Sequence, residues 1–344
     1  MGLEGSKVFL YVICIIFLVL EYSRRVAAGD PKFPCYFIFG DSLLDVGNNN
    51  RLNTGAKANY LPYGIDYPQG PTGRFTKDLG FDNFIPPYAT VKEKCILTGV
   101  NYASGGSGIL DKSGQNLGER FSFNKQIRNH KKVISRIKTL QGNETHTHDY
   151  LKKCLYMAQT GSNDYINNYF APVSKDKTNN VTPDQFAIIL INQFSRQLNW
   201  LYKLGGRKFS ISNIGQVGCA PAQITLYGTG NACINEMNDA VNIFNVKKNN
   251  LIENILKSKL TDAKFVVPDL NIPTSGLPQS NGTAVTNAAC CKVSTKGDTR
   301  GLCLRRKIPC IDRNRYQFFD GFHPTAYANL FYSRQMMLAI SQLL

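Results

Sequence analysis

Four separated segments of the sequence carry residues that could cleave an ester by acyl transfer. In the first, Phe39-Gly40-Asp41-Ser42 ends an apolar run and presents a serine that could act as a nucleophile. A serine hydroxyl needs a general base to accept its proton, and the base needs a group that orients it. Asp320 and His323 lie three residues apart, so one compact loop could supply both groups.

Gly105-Gly106 and Asn163 could donate hydrogen bonds to the oxygen that becomes negatively charged during acyl transfer. Backbone amides in glycine-rich turns and asparagine side chains at strand ends are typical donors for such an oxygen. Each segment also has a structural interpretation: the Gly-Asp-Ser segment and the glycine pair as turns, Asn163 as a helix cap, and Asp-x-x-His as a frequent pattern. Because the four segments together fill every role, their combination favours an enzyme.

The elements that would position these residues alternate between strands and helices. We expect strands at residues 36–39, 100–104, 155–159, 208–212 and 264–267, and helices at about 122–139, 183–204, 235–260 and 324–343. This alternation predicts an α/β fold, a parallel sheet with helices on both faces. Ser42, the Gly105-Gly106 pair and Asn163 each follow a predicted strand, where open α/β sheets bind their ligands. Residues 45–50 are rich in glycine and asparagine and predict a loop near the site.

The amino terminus is typical of a secretory signal peptide. Lys7 precedes an apolar run of 13 residues at positions 8–20, and Val26-Ala27-Ala28 offers small residues for cleavage. A run of this length is short for a membrane span. No later segment reaches 18 apolar residues. We therefore expect a signal peptide at residues 1–28, one domain at residues 29–344, no membrane span and a secreted protein.

The sequence is strongly basic, with a formal net charge of +16 at pH 7. Removal of the signal peptide would take away three cationic and two anionic side chains, leaving +15. A secreted protein with this charge could bind an acidic extracellular polymer such as a cell-wall polysaccharide. A merely solvated basic surface is an equally good interpretation. The basic residues form scattered pairs and triplets without an aromatic-rich motif, which argues against a nucleic-acid partner.

Nine of the ten cysteines follow the signal peptide, and an oxidising compartment favours their pairing. The candidate pairs within short loops are Cys219 with Cys233, and one of Cys290 or Cys291 with Cys303 or Cys310. The odd count leaves at least one cysteine unpaired in the chain. No Cys-x-x-Cys or Cys/His spacing indicates zinc.

Several polar side chains are predicted to lie at the surface. Sequons of the form Asn-x-Thr at Asn143, Asn180 and Asn281 predict glycans on three loops. The histidines other than His323 occur in polar stretches without a carboxylate placed like Asp320, and we expect them at the surface: His130, His146 and His148.

The chain resembles the plant GDSL esterases/lipases of the SGNH hydrolase superfamily. The resemblance covers nearly the whole mature chain, with the family's blocks in the same order. These blocks are Phe39 to Leu43, Asp45 to Asn50, Gly73-Arg74-Phe75, Gly99 to Gly108, Gly161 to Asp164, Gly218 to Pro221, Cys290-Cys291 and Asp320 to Thr325. The Gly-x-Ser-x-Gly signature of α/β-hydrolases does not occur in the sequence.

The resemblance implies a fold, a reaction and a set of roles. The fold would be a flavodoxin-like three-layer α/β/α hydrolase without metal or cofactor. Ser42 would be the nucleophile, His323 the base and Asp320 its partner, while the Ser42 amide, Gly106 and Asn163 would form the oxyanion hole. The substrate would be a lipid or another acyl ester, and the location extracellular, in the apoplast or cell wall.

One departure from the family pattern concerns the connection between the first two strands. In the family, Gly-Arg-Phe usually leads into about a dozen more residues that form an amphipathic helix. Here Gly73-Arg74-Phe75 runs almost directly into Leu79-Gly80, so a crossover helix near residue 77 is predicted to be missing. Its absence would uncover apolar sheet surface, at a cost of several kcal/mol at roughly 25 cal/mol per Å².

Two alternatives to ester hydrolysis remain open at the sequence level. The same residues could transfer the acyl group to an alcohol other than water. The missing helix and the basic charge also fit a catalytically disabled glycoprotein that binds the cell wall.

Overall fold

A parallel sheet organises the computed structural model, which describes residues 32–67, 69–72, 85–171, 181–230, 232–269 and 284–344. The strands are β1 (Tyr36–Gly40), β2 (Gly99–Asn101), β3 (Leu155–Gln159), β4 (Lys208–Ile211), β5 (Lys264–Val266), β6 (Val285–Ala289) and β7 (Tyr316–Phe318). The longer α-helices of the described ranges are α1 (Phe123–Gln141), α2 (Glu144–Lys153), α3 (Pro183–Lys203), α4 (Pro221–Tyr227), α5 (Asn235–Asn250) and α6 (Ala326–Ile340).

Five strands form the sheet in the order β2-β1-β3-β4-β5, all parallel, which confirms the predicted fold class. β1 lies inside the sheet, where Tyr36 pairs with Gly99 of β2 on one side and Leu155 of β3 on the other. Interior parallel strands are covered on both faces, and all five residues of β1 are buried. This position explains why Ser42 follows an uninterrupted apolar run.

Helices cover the two faces of the sheet through separate hydrophobic clusters, which gives three layers. Successive strand residues point to opposite faces. Phe37 and Phe39 therefore join the cluster that contains residues of α1, α3 and α5. Tyr36 and Ile38 join the other cluster, to which α6 contributes Met336.

The predicted elements are found within a few residues of their expected bounds, with some differences. The helix expected at 235–260 ends as α5 at Asn250, then continues as a π-helical segment (Leu251–Leu256) and a short α-turn (Lys257–Lys259). The sequence patterns do not predict α2, α4 or the small β6–β7 sheet. The expected loop at 45–50 contains a 3-10 helix (Asn48–Arg51). The Asn48 side chain is buried there, and its amide donates hydrogen bonds to two backbone carbonyls of the β2 segment.

His130 is buried, so its predicted place at the surface is wrong. It shares one face of α1 with the buried residues Val133 and Ile137, at the spacing of a helical face. Its ring packs against Phe37, and its Nδ1 lies 3.0 Å from the Tyr102 hydroxyl oxygen. Burial lowers the pKa of His130 to about 3, so this imidazole is neutral at ordinary pH.

Asn143, His146 and His148 are exposed, as predicted. Asn143 is the N-cap of α2, where its side chain accepts a hydrogen bond from the His146 N–H. The sequons at Asn180 and Asn281 lie outside the described residues.

The segment around residue 77, where a crossover helix is predicted to be missing, also lies outside the described residues. The two strands that this connection joins, β1 and β2, are buried throughout. Leu44, Ile85 and residues of α6 belong to the cluster on the face of Tyr36 and Ile38. Packing by these side chains keeps the apolar surface of β1 out of water.

The proposed signal peptide at residues 1–28 likewise falls outside the described ranges. Of the helices within those ranges, none combines the length and the apolar character that crossing a membrane requires.

Four disulfides connect cysteines of the described residues: Cys35–Cys154, Cys219–Cys233, Cys290–Cys310 and Cys291–Cys303. The last three are local closures of the kind predicted. The first spans 119 residues and ties the start of β1 to the start of β3. Cys95 is free and exposed, in keeping with the odd count.

The buried side chain of Gln126 fastens α1 to the end of β1. Its Oε1 accepts a hydrogen bond from Gly40 N at 2.9 Å, and its Nε2 donates to Gly40 O at 2.8 Å. A Cβ at Gly40 would lie 2.3 Å from the Gln159 carbonyl oxygen, so only glycine fits at this point. α1 thereby fixes the backbone two residues before Ser42.

Replacement of Gln126 by leucine is expected to lower the free energy of unfolding by about 1–3 kcal/mol, because the buried Gly40 N–H loses its acceptor. Urea denaturation followed by circular dichroism measures the change. The matched control is Lys132→Leu on the exposed side of α1, which should alter stability by less than about 0.5 kcal/mol. A Gln126→Leu protein as stable as the wild type would contradict the role of this side chain.

Candidate active site

Ser42, His323 and Asp320 form a hydrogen-bonded chain at the carboxyl end of β1. His323 Nε2 lies 2.8 Å from Ser42 Oγ, and His323 Nδ1 lies 2.8 Å from Asp320 Oδ2 and 3.0 Å from Asp320 Oδ1. Asp320 and His323 are buried, whereas Ser42 is partly exposed. Residues from opposite ends of the sequence therefore meet with the spacing that proton transfer requires.

The turn from Asp320 to His323 follows β7 and is stabilised by hydrogen bonds to its own backbone N–H groups. Asp320 Oδ1 accepts hydrogen bonds from the N–H groups of Phe322 and His323, both at 2.8 Å. Phe319 N donates to His323 O at 2.7 Å, which closes the turn. Thr325 then caps α6 by accepting from Ala328 N. The imidazole is thus fixed between a short strand and a helix.

Ser42 lies in a turn that begins where β1 ends. Asp41 O accepts hydrogen bonds from the N–H groups of Leu44 and Asp45, and Asp41 Oδ1 accepts from Leu43 N at 3.0 Å. The Ser42 N–H makes no hydrogen bond with any residue of the described ranges. This amide is therefore available to a ligand beside the Ser42 hydroxyl.

Gly105 and Gly106 both line the cavity at Ser42, but their amides differ. Gly105 N donates to Asp45 Oδ2 at 2.9 Å, and Gly105 O accepts from Asn49 Nδ2. Gly106 has φ +80°, which glycine adopts without strain, and its N–H has no acceptor in the described part of the chain. Gly106 is therefore the member of the pair whose amide can face a ligand.

Asn163 lies in a helical turn (Ser162–Asp164) that follows β3. Its Nδ2 donates to Ser107 O at 2.9 Å, and its Oδ1 accepts from Asn167 Nδ2 at 2.6 Å. These bonds fix the orientation of the amide and leave one Nδ2 hydrogen for a ligand.

One cavity of about 320 Å³ is lined by Ser42, Gly106, Asn163 and His323. Its apolar walls come from both faces of the sheet and from the surrounding loops and include Ile38, Leu44, Leu117, Met157, Val217 and Met336. Apolar walls around a few convergent polar groups are typical of a small-molecule site. In the described ranges no group of three or more His, Cys, Asp or Glu side chains could hold a metal ion.

The charges around the imidazole shift the pKa values of the buried acids and of His323. Burial opposes the protonation of His323, but the Asp320 carboxylate and Asp41 outweigh it and raise the His323 pKa above 6.5. Burial favours the protonated form of Asp320, but His323 and the hydrogen bonds to the carboxylate hold its pKa below the usual value. Burial raises the pKa of Asp41 to about 7. Asp320 therefore stays ionised beside His323 at neutral pH.

A family model described as GDSL-like lipase/acylhydrolase matches residues 36–335. The chain belongs to this GDSL family. A relative from Arabidopsis thaliana named GDSL esterase/lipase is 42% identical over 341 residues, covering 94% of this chain and 92% of the relative. A second Arabidopsis thaliana protein of the same name is 40% identical over 338 residues, covering 92% of each chain.

Sequence reasoning missed four buried polar residues that hold the site of this GDSL-family chain. Gln126 and Asp45 bind the backbone of the first two site segments, at Gly40 and Gly105. Asp164 accepts hydrogen bonds from the N–H groups of residues 109 and 110, just beyond the glycine-rich segment. Tyr63 donates to Asp320 Oδ2 at 2.5 Å. Asp45 and Asp164 stand in the family blocks, whereas nothing in the sequence distinguishes Tyr63 or Gln126.

Replacement of Asp320 by asparagine is expected to lower the pKa of His323. The carboxylate that favours the imidazolium is removed, and burial, which favours the neutral ring, then dominates. Titration of the His323 ring by NMR should give a midpoint above 6.5 in the wild type and a lower one in the variant. The control Asp149→Asn removes an exposed carboxylate beside His148 and should leave the His323 midpoint unchanged. Equal midpoints in wild type and Asp320→Asn would contradict this electrostatic coupling.

Proposed function

We propose that this protein is a secreted carboxylic ester hydrolase that works through an acyl-enzyme formed on Ser42. The observation that carries the proposal is the 2.8 Å separation of His323 Nε2 and Ser42 Oγ, with Asp320 at the other ring nitrogen. Membership of the GDSL family and relatives named esterase/lipase support an ester as the substrate.

In the first half of the reaction, Ser42 Oγ attacks the ester carbonyl carbon and His323 Nε2 accepts the hydroxyl proton. The tetrahedral intermediate collapses, and His323 passes the proton to the leaving alcohol. Asp320 holds the imidazole through Nδ1 and stabilises the imidazolium that forms. In the second half, water attacks the acyl carbon and His323 Nε2 accepts a proton from it. The bond between Ser42 Oγ and the acyl carbon then breaks, His323 returns the proton to Ser42 Oγ, and the acid leaves.

The oxyanion hole consists of the Ser42 N–H, the Gly106 N–H and the Asn163 side-chain amide. All three residues line the cavity at the Ser42 hydroxyl. The two backbone amides make no hydrogen bond within the described ranges, and Asn163 is held by Ser107 and Asn167. Donors fixed in advance stabilise developing charge without reorganisation, which is a large contribution to catalysis in acyl transfer.

The apolar walls of the cavity support a substrate with a hydrocarbon group, such as a lipid or another acyl ester. Ile38, Met157 and Met336 line the part of the cavity between the sheet and α6. Transfer of the acyl group to another alcohol uses the same residues. Product analysis with an added acceptor alcohol separates that reaction from hydrolysis.

Secretion to the cell wall or apoplast is part of the proposal. It is supported by the apolar run behind Lys7, the small residues at 26–28 and the disulfides of the described residues. The formal charge of +15 that remains without residues 1–28 supports acidic cell-wall polysaccharide as a binding partner of the secreted enzyme.

Replacement of Ser42 by alanine is expected to lower kcat/KM for p-nitrophenyl butyrate by about a thousandfold or more, because the nucleophile is removed. Spectrophotometry of released p-nitrophenol measures the rate, and circular dichroism verifies the fold. The control Ser258→Ala alters an exposed serine far along the chain and should retain full activity. Wild-type turnover by folded Ser42→Ala protein would exclude Ser42 as the nucleophile.

Secretion should also lead to glycosylation of Asn143. Replacement by aspartate should remove the glycan but keep an oxygen that can cap α2 through the His146 N–H. We expect a glycan on the Asn143 peptide of the secreted wild type, and loss of that glycan without loss of thermal stability in Asn143→Asp. The control Thr145→Ala should also remove the glycan. Mass spectrometry of peptides gives the occupancy, and an unmodified Asn143 in the secreted wild type would contradict the proposal.

A further inference from the structure

Tyr63 connects the amino-terminal part of the chain to the carboxylate of Asp320. It lies 257 residues before Asp320, in the loop after β1, and its side chain is buried. The Tyr63 hydroxyl oxygen is 2.5 Å from Asp320 Oδ2 and 3.1 Å from the backbone nitrogen of Cys303. A buried phenol thus binds one oxygen of the carboxylate, and the backbone amides of the turn bind the other.

The direction of these two hydrogen bonds follows from chemistry. A backbone N–H can only donate, so the Tyr63 oxygen accepts the hydrogen bond from Cys303 N. An ionised carboxylate can only accept, so the single hydroxyl proton of Tyr63 is directed to Asp320 Oδ2. Burial and the Asp320 charge raise the pKa of Tyr63 well above its usual value, so the phenol keeps this proton.

The frame around Tyr63 prevents it from turning away. Cys303 is joined to Cys291 by a disulfide, and Cys291 N donates to Phe319 O, next to Asp320. The Tyr60 hydroxyl donates to Cys303 O at 2.9 Å. The rings of Tyr63 and Phe319 are in contact, with centroids 5.7 Å apart. The phenol is therefore held at both ends, by ring packing and by its hydrogen bonds.

We propose that Tyr63 is a positioning residue of the active site, which holds Asp320 Oδ2 beside His323 Nδ1. The inference rests on the proposed function. Asp320 Oδ1 already accepts two backbone N–H groups, whereas Oδ2, the oxygen nearer to His323 Nδ1, has Tyr63 as its other donor. Tyr63 acts on Ser42 only through Asp320 and His323. Its hydrogen bond to Asp320 also weakens the stabilisation of the imidazolium by the carboxylate.

Replacement of Tyr63 by phenylalanine removes the hydroxyl and keeps the ring. Without this donor the Asp320 charge is less stabilised, the imidazolium beside it is favoured, and the His323 pKa rises. Hydrolysis needs neutral His323, so the acid limb of kcat/KM moves to higher pH. We expect kcat to fall about tenfold above that limb, with KM little changed, because a hydrogen bond to a charged group is removed.

The other titratable groups near the pair are unchanged in this variant. Asp41 faces His323 from the end of β1, and Tyr60 faces Asp320 from the same loop as Tyr63. The Arg305 guanidinium stacks on the Tyr60 ring at 3.9 Å. A shift in the pH profile of Tyr63→Phe therefore reports on the missing hydroxyl.

The test compares Tyr63→Phe with Tyr202→Phe, by the pH dependence of kcat and KM and by NMR titration of His323. Tyr202→Phe also removes a hydroxyl that donates to a carboxylate, but that carboxylate is the exposed Asp262, which does not line the cavity, so the titration and kcat should stay unchanged. A higher His323 midpoint and lower kcat in Tyr63→Phe alone support the inference. An unshifted His323 in Tyr63→Phe, or an equal shift in Tyr202→Phe, overturns it.

The NMR arm does not depend on catalysis. If the wild type cleaves no ester but the His323 titration midpoint shifts in Tyr63→Phe, the positioning role is supported and the proposed function is contradicted. Ester cleavage by the wild type without a His323 shift in Tyr63→Phe supports the proposed function and contradicts the positioning role.

Discussion

The hydrogen bond between His323 Nε2 and Ser42 Oγ joins residues 281 positions apart, and the rest of the site is arranged around it. A contact this distant in sequence forms only when the fold brings the end of β1 and the turn after β7 together. β1 meets this requirement because it lies inside the sheet and is buried on both faces. Gln126 then fixes Gly40, and the Asp41 carbonyl closes the turn that presents Ser42.

Buried polar groups set the geometry of the other segments. Asp45 binds Gly105 N, Asp164 binds the N–H groups after the glycine-rich segment, and Tyr63 binds Asp320. Burial raises the pKa of Asp45 and of Asp164 to about 6, and the hydrogen bonds that each carboxylate accepts oppose this rise. Buried polar networks stabilise one arrangement when their members are satisfied. In this chain Asp45 and Asp164 fix the glycine-rich segment that contains Gly106, and Tyr63 binds the carboxylate beside His323.

The sequence predicts the sheet well because each interior strand is an apolar run between turn residues, as at Tyr36–Gly40 and Leu155–Gln159. The meeting of Ser42, Asp320 and His323 was predictable because the roles proposed for them demand particular residue types. His130 was wrongly assigned because its basic neighbours obscure a helical face shared with Val133 and Ile137. Tyr63 and the Cys35–Cys154 disulfide were beyond reach, because both depend on contacts between segments more than a hundred residues apart.

The central claim is that the fold assembles a reactive Ser42, and labelling by a fluorophosphonate tests it most directly. A serine activated by His323 displaces fluoride from the phosphorus atom while His323 accepts the hydroxyl proton, and the product resembles the tetrahedral intermediate of ester hydrolysis. Intact-mass measurement and peptide mapping of the folded protein should give one adduct per chain, on the peptide that contains Ser42. A folded chain that remains unlabelled, or an adduct on a different serine, would contradict the account.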